Sequence, residues 1–268
     1  MKTFEGKIVL LTGAATGIGR LMALMLAEDK AGLALVDVNA KKLEETRKAC
    51  AAKGSKAVAY TCDISKKKDI DAMYKKALKD FGRIDILINN AGIVKGKFVH
   101  EYDFDEIRRT MDVNFVGGAY LTRLALPDMM KRNSGHIVNI ASAMGLTGVP
   151  RMGEYVASKH AIVGFTDTMR MELKRQGYRG IRTLVVCPSG IDTGMFPGYK
   201  APLMSPLLKP ETVAERTLAA IKKKKSYLKL PLIVRLIPTM KLFPAPVQDA
   251  MAKMTGLLHS MDHFEGKK

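Results

Sequence analysis

The chain contains no tryptophan, and aromatic residues make up only 6% of it. Sequence-tolerant nucleic-acid binders stack bases on aromatic side chains set among basic ones. The basic runs here lack that interleaving, so nucleic acid is not expected as a partner, even though 44 Lys and Arg face 26 Asp and Glu and the net charge is +18. The excess of cations leaves a solvated lysine-rich surface, an anionic lipid surface or an acidic protein partner. Cysteine is scarce as well. Cys50, Cys62 and Cys187 fit no metal-ligand spacing, and their odd number fits no disulfide framework. Cys62 and Cys187 lie in apolar strand-like runs and are expected as buried thiols, which suits a reducing, cytoplasmic setting. His259 and His263 stand i, i+4 but no third ligand accompanies them, and no metal is expected. No apolar run approaches the roughly 18–20 residues that span a bilayer. The first strand-like run begins at Lys7, too early for a signal peptide or an anchor helix ahead of it. A cytoplasmic protein with at most peripheral membrane contact is the expected placement.

What is present is the composition of a folded domain: 47% hydrophobic and 26% charged residues. Apolar runs at 7–11, 33–37, 58–62, 84–88, 135–140 and 181–186 read as strands. Helical patterns at 20–30, 41–53, 68–80, 104–131 and 155–175 alternate with them. Such alternation implies an α/β fold, a doubly wound parallel sheet flanked by helices, whose ligands sit at the carboxyl ends of strands. The expected organisation is one domain over 1–268, with 195–268 as a substrate lid and C-terminal extension. Helical character returns at Pro210, and 247–261 reads as an amphipathic helix. Residues 228–243 are apolar, broken by proline and preceded by Lys222, Lys223, Lys224 and Lys225. That pattern suits contact with a membrane surface through 222–243; a substrate lid or a dimer contact would use the same residues.

Two constellations carry chemistry. The first strand runs into Thr12-Gly13-Ala14-Ala15-Thr16-Gly17-Ile18-Gly19 and then a helix. Strand, glycine-rich turn and helix form the setting in which a backbone approaches a pyrophosphate, with the helix N-terminus facing it. Asp37 ends the second strand, where a carboxylate accepts hydrogen bonds from an adenosine ribose and repels a 2′-phosphate. NAD(H) is therefore expected over NADP(H); Arg20, the one nearby cation that would argue otherwise, is read as solvated. In the second constellation, Tyr155 and Lys159 stand one helical turn apart on one face. A phenol ordinarily titrates near 10, and a neighbouring ammonium draws it toward the working range of a general acid/base.

Thr12-Gly13-x-x-x-Gly17-Ile18-Gly19, Asp63, Asn89-Asn90-Ala91-Gly92, Asn114, Ser142, Tyr155-x-x-x-Lys159 and Pro188-x-Gly190-x-x-Thr193 occur in this order over residues 5–195. Together they resemble the short-chain dehydrogenase/reductase family, from which they depart slightly at Ser189. The resemblance implies an NAD-dependent oxidoreductase with Asn114, Ser142, Tyr155 and Lys159 as catalytic residues. Tyr155 would exchange the substrate proton, Ser142 would polarise the substrate oxygen, and Lys159 would hold the nicotinamide ribose and lower the Tyr155 pKa. Asn114 would anchor a water leading from Lys159 to solvent. It also implies cofactor contacts from Gly13, Thr16, Gly17, Ile18 and Gly19 at the pyrophosphate, and from Asp63 and Ile64 at the adenine. Asn90, Ala91 and Gly92 would lie along the adenosine side, and Pro188, Gly190, Ile191 and Thr193 at the nicotinamide end. Members commonly form homodimers or homotetramers through the two long helices. Residues 235–243 and the ending Met261-Asp262-His263-Phe264-Glu265-Gly266 are similar to the retinol and 17β-hydroxysteroid dehydrogenase branch, which points to a hydrophobic alcohol as substrate. Reduction of a 3-oxoacyl thioester on an acidic carrier protein, and a non-catalytic lipid-surface scaffold, are the competing readings. Asp37 opposes the first, and the intact catalytic residues oppose the second.

Overall fold

In the computed structural model, which describes residues 1–203 and 205–264, seven strands form one parallel sheet. They are β1 (Ile8–Thr12), β2 (Gly32–Asp37), β3 (Ala57–Thr61), β4 (Ile86–Asn89), β5 (Gly135–Ile140), β6 (Ile181–Pro188) and β7 (Tyr227–Leu230), in the order β3-β2-β1-β4-β5-β6-β7. The central strands are apolar throughout because both of their faces are covered. On one face Val9, Leu11, Leu33 and Leu35 pack against α1 (Gly17–Glu28), α2 (Ala40–Ala52) and α7 (Pro210–Lys222). On the other, Leu10, Ala34, Val36 and Leu87 meet α3 (Lys67–Phe81), α5 (Gly117–Lys131) and α6 (Gly153–Arg175). The alternation of Val9, Leu10 and Leu11 between the two cores is the period of two that a strand imposes. The order reverses between β1 and β4, which opens a crevice at their carboxyl ends. Cys50, Cys62 and Cys187 are all buried and free.

Three expectations change. The helix expected over 104–131 is interrupted: α4 (Phe104–Met111) passes through one π-turn, Asp112–Val116, before α5 begins. A π-turn inserts one extra residue into the helical repeat and re-aims the side chains around it, here Asn114. Residues 228–230 are not part of a surface segment. They form β7, paired with β6, and Leu228 and Leu230 are buried while Lys229 points the other way. A four-residue strand followed by Pro231 left too short a pattern to read. The C-terminal helix is also shorter than expected. After the four-residue α8 (Ile237–Met240), α9 (Ala245–Met254) stops before Gly256, which takes the left-handed backbone (φ +77°) that ends helices. Glu265 and Gly266 of the expected C-terminal motif lie outside the described residues. Among the described residues no helix is long and apolar enough to cross a membrane.

Candidate active site

Each site residue reaches the carboxyl edge of the sheet for a local reason. At the end of β1 the Thr12 hydroxyl accepts the N–H groups of Asn90 (2.9 Å) and Ala91 (3.1 Å). The Asn90 side chain donates in return to the carbonyls of Thr12 (3.0 Å) and Gly13 (3.2 Å). These bonds clamp the two strands that flank the crevice, and Asn90 spends its amide on them. Gly13 (φ +67°) and Gly17 (φ +55°) adopt left-handed backbone, which costs glycine nothing. A Cβ on Gly19 would strike the Gly13 carbonyl, so α1 starts hard against the turn. Thr16 precedes α1 without capping it through its side chain, and no acidic residue occupies the first turn. An uncapped helix N-terminus behind a glycine turn is a setting for phosphate oxygens.

Asp37 does more than the spacing disclosed. One carboxylate oxygen accepts Ala15 N–H at 3.0 Å and the other accepts Asn39 N–H at 2.9 Å, so the acid braces the glycine-rich turn. Arg20 is half-buried beside Cys50 and does not line the cleft. Asp63 pairs with Arg109 at 3.0 Å and accepts from Ser65. Burial would raise the Asp63 carboxyl, but the Ser65 bonds and the guanidinium outweigh it and hold it below its usual range. Arg109, which carried no signal in the sequence, lines the cleft together with Asp37 and Lys42.

At the other end, Ser142 (two residues past β5), Tyr155 and Lys159 (both on α6) converge, all buried. Gly145 makes this possible, because a Cβ there would lie 2.6 Å from the Lys159 carbonyl oxygen. The Ser142 hydroxyl accepts Met144 N–H at 3.1 Å and donates to the Pro188 carbonyl at a long 3.4 Å. Burial pushes the Tyr155 phenol well above its ordinary value, and the neighbouring Ser142 hydroxyl works against that rise. The expected lowering by Lys159 is not among the influences on the phenol, which are burial, the Ser142 hydroxyl and the Glu154 charge. The ammonium lies 5.3 Å from the centre of the phenol ring and donates to the Ile140 carbonyl at 2.9 Å. Burial depresses Lys159 itself from 10.5 to about 8, Cys187 opposing weakly.

Asn114 does not line the cleft. Its Oδ1 accepts Ile93 N–H (2.8 Å), and its amide donates to the Ile93 carbonyl and to Ser158 Oγ, both at 3.0 Å. Both amide protons are committed, so the side chain ties the loop after β4 to α6. Behind it lies a cavity of about 10 Å³, shared with Asn89, Asn139 and Ile162, close to the volume one water requires. Ser158, fully buried between the two conspicuous residues of α6, also donates to the Tyr155 carbonyl at 2.7 Å. Nothing in the sequence marked it.

All the other expected residues line one cleft of about 620 Å³ that runs from Asp37 to Tyr155. Gly92 leaves room beside Lys159, since its Cβ would stand 3.6 Å from Nζ. Thr193 crosses above α1, with Cγ2 3.6 Å from where a Cβ of Gly17 would lie. Met195, Phe196 and Tyr199, which follow it, line the end near Tyr155. Glycine turn, uncapped helix, Asp37 and a length of open cleft between them fit a dinucleotide. His259 instead pairs with Asp262 at 2.9 Å.

Known proteins resemble this chain in sequence and fold. The family model "short chain dehydrogenase" matches residues 7–202. The human protein named epidermal retinol dehydrogenase 2 is 38% identical over 271 residues, which is 100% of this chain and 88% of that protein. Estradiol 17-beta-dehydrogenase 11 of Pongo abelii is 37% identical over 240 residues, 90% of this chain and 80% of that one. A solved short-chain dehydrogenase/reductase from Burkholderia phymatum, in complex with NAD, superposes with a TM-score of 0.82 at 30% identity and covers 90% of this chain and 95% of its own. The chain belongs to the short-chain dehydrogenase/reductase family of oxidoreductases, in the company of the retinol and 17β-hydroxysteroid dehydrogenases.

Proposed function

We propose that the protein transfers a hydride between NAD and a hydrophobic alcohol or its carbonyl counterpart, of the steroid, retinoid or fatty-alcohol type. The observation that carries this is the cleft itself, with Asp37 at one end and Ser142, Tyr155 and Lys159 at the other. When bound, the nicotinamide supplies the hydride acceptor or donor. The chain supplies position and proton handling. Ser142 holds the substrate oxygen against the Tyr155 hydroxyl. Tyr155 gives a proton to that oxygen in reduction and takes one from it in oxidation. A phenol raised by burial is stocked with its proton, and oxidation needs positive charge beside it, which Lys159 provides once it faces a ribose. Asn114 and Ser158 fix the helix that carries both residues. Asp37, which forms no ion pair among the described residues although Lys42 and Arg109 line the same end of the cleft, favours the unphosphorylated ribose of NAD and disfavours a biosynthetic acyl-thioester reductase.

The substrate end is apolar: Val94, Met144, Met152, Met195 and Phe196 cluster around Tyr155. Methionines adapt their shape to a bound chain. We read residues 195–264 as the lid and wall of this pocket within one domain. Beyond β7, Val234 is buried while Leu232 (69% exposed), Leu236, Leu242 (84% exposed) and Phe243 face out. Between Glu215 and Asp249 the chain has eight Lys or Arg and no Asp or Glu. An outward apolar face in a stretch of chain whose only charged residues are cations supports peripheral docking on an anionic lipid surface, which would deliver lipid alcohols to the lid. Exposed Phe104 and Ile107 on α4 and Met171 on α6 support self-association of the family kind through those helices.

The decisive experiment is NAD-linked oxidation of a panel of retinoid, steroid and fatty alcohols, with cofactor binding measured alongside. Turnover of at least one class with NAD is expected. NADH binding without turnover of any class would sink the substrate assignment.

A further inference from the structure

The pocket beside Tyr155 has two walls from distant parts of the chain: the loop at 93–103 between β4 and α4, and the segment at 194–203 after β6. Each wall has a glycine where the other elements press in. A Cβ on Gly96 would run into the Phe264 ring, and one on Gly198 would run into the His263 carbonyl. Both glycines have left-handed backbone, φ +77° and +79°. So the stretch 260–264 is packed against both walls at once. Hydrogen bonds add to the packing: Lys200 N–H donates to the Ser260 carbonyl at 2.9 Å, and Leu203 N–H donates to the Thr255 carbonyl at 2.8 Å. Arg151, just before α6, donates to the Asp262 carbonyl at 2.8 Å and lies over the Phe98 ring at 5.4 Å.

Aromatic contacts carry this arrangement to the reacting end. The Phe264 ring is 5.9 Å from that of Phe196, and Phe196 meets Tyr155 edge-on at 5.8 Å. Phe264 and Met261 are almost fully buried, yet neither lines the cleft, whereas Phe196 does. Arg151 holds a left-handed backbone (φ +63°) that a side chain disfavours, and its carbonyl lies 3.1 Å from the Tyr102 hydroxyl, which also bonds the Glu154 carboxylate at the start of α6. Such an outlier persists only where its surroundings over-determine it, and here they are the loop, the start of α6 and the tail together.

We propose that residues 260–264 form a built-in clasp that sets the size of the substrate pocket, with Phe264 a positioning residue that seats Phe196 over Tyr155. The idea rests on the hydrophobic-alcohol reading above. Without the Phe264 ring, Phe196 loses its backing and can swing away from Tyr155, so the pocket accepts bulkier alcohols. In contrast, the cofactor end, which shares none of these contacts, keeps its affinity.

The test is Phe264→Ala, with Phe264→Leu as the conservative partner, in the full chain. Two readouts are taken. By hydrogen exchange, amides over 195–203 lose protection on the order of tenfold in Phe264→Ala, while amides of β1 and β5 do not change. By kinetics, the ratio of kcat/KM for a ring-containing alcohol to that for a straight-chain alcohol rises several-fold, NADH affinity stays within about twofold, and Phe264→Leu stays near the parent. Gly96→Ala attacks the same contact from the other side, so its effect on protection is much smaller when Phe264→Ala is already present. Unchanged protection over 195–203 overturns the clasp, as does a uniform fall in turnover of both alcohols. A parent enzyme that oxidises no alcohol sinks the proposed function instead, and exchange still decides the clasp.

Discussion

The Lys159 ammonium donates to the main-chain carbonyl of Ile140 across 2.9 Å and, among the described residues, forms no ion pair. A buried cation with one neutral acceptor burdens the fold. Its pKa, about 8 against an ordinary 10.5, gives the sign. The folded protein holds fewer protons here than the unfolded chain between those values, so the burden is full below pH 8 and lifts as pH rises toward 10.5.

Lys159→Met should therefore stabilise the ligand-free protein at pH 7 by about 1–2 kcal/mol, a rise in Tm of a few degrees for a chain of this size. The gain should shrink by pH 9.5, below the range in which Tyr155 would titrate. Activity should vanish in the same variant. Thermal unfolding at pH 7 and pH 9.5 checks it; an equal or lower Tm at pH 7 would show that the ammonium is already compensated.

Tyr155→Phe keeps the ring that packs edge-on against Phe196 at 5.8 Å and removes only the proton-bearing oxygen. Turnover should drop by about 10²–10⁴, the usual worth of a positioned general acid/base, with NADH affinity nearly unchanged. Retained turnover would remove Tyr155 from the proton path.

Asp37→Ala removes both the proposed ribose acceptor and the brace on Ala15 and Asn39. Charged hydrogen bonds are worth about 1.5–3 kcal/mol, so NADH affinity should fall roughly tenfold or more, and preference should shift toward NADPH. Calorimetry with both cofactors measures it. A fall in both affinities by one factor would mean that Asp37 serves only the turn.

Leu232→Glu with Leu236→Glu places two acids on the outer apolar face and leaves the buried Val234 alone. Binding to phosphatidylserine vesicles should drop, and the parent's binding should weaken at high salt because each cation near such a surface contributes about 1 kcal/mol. Cosedimentation reads both. Parent protein that ignores these vesicles would leave that face to another partner.

Much of this molecule is legible in its sequence. The six strands, the glycine-rich turn, Asp37 and the Tyr155–Lys159 pair follow from periodicity and spacing, because residues adjacent in a strand or one turn apart on a helix meet by local geometry alone. Tertiary structure decided the rest. The pairing of Arg109 with Asp63, the lock of Asn114 on Ile93 and Ser158, and the contact of Phe264 with Gly96 join residues separated by 21 to 168 positions, and no local pattern encodes such partners. β7 is real because β6 offers it an edge, not because four residues demand a strand. Even the Tyr155 phenol, expected to be drawn down by its lysine, is pushed up instead, since burial is a property of the whole fold and not of a motif.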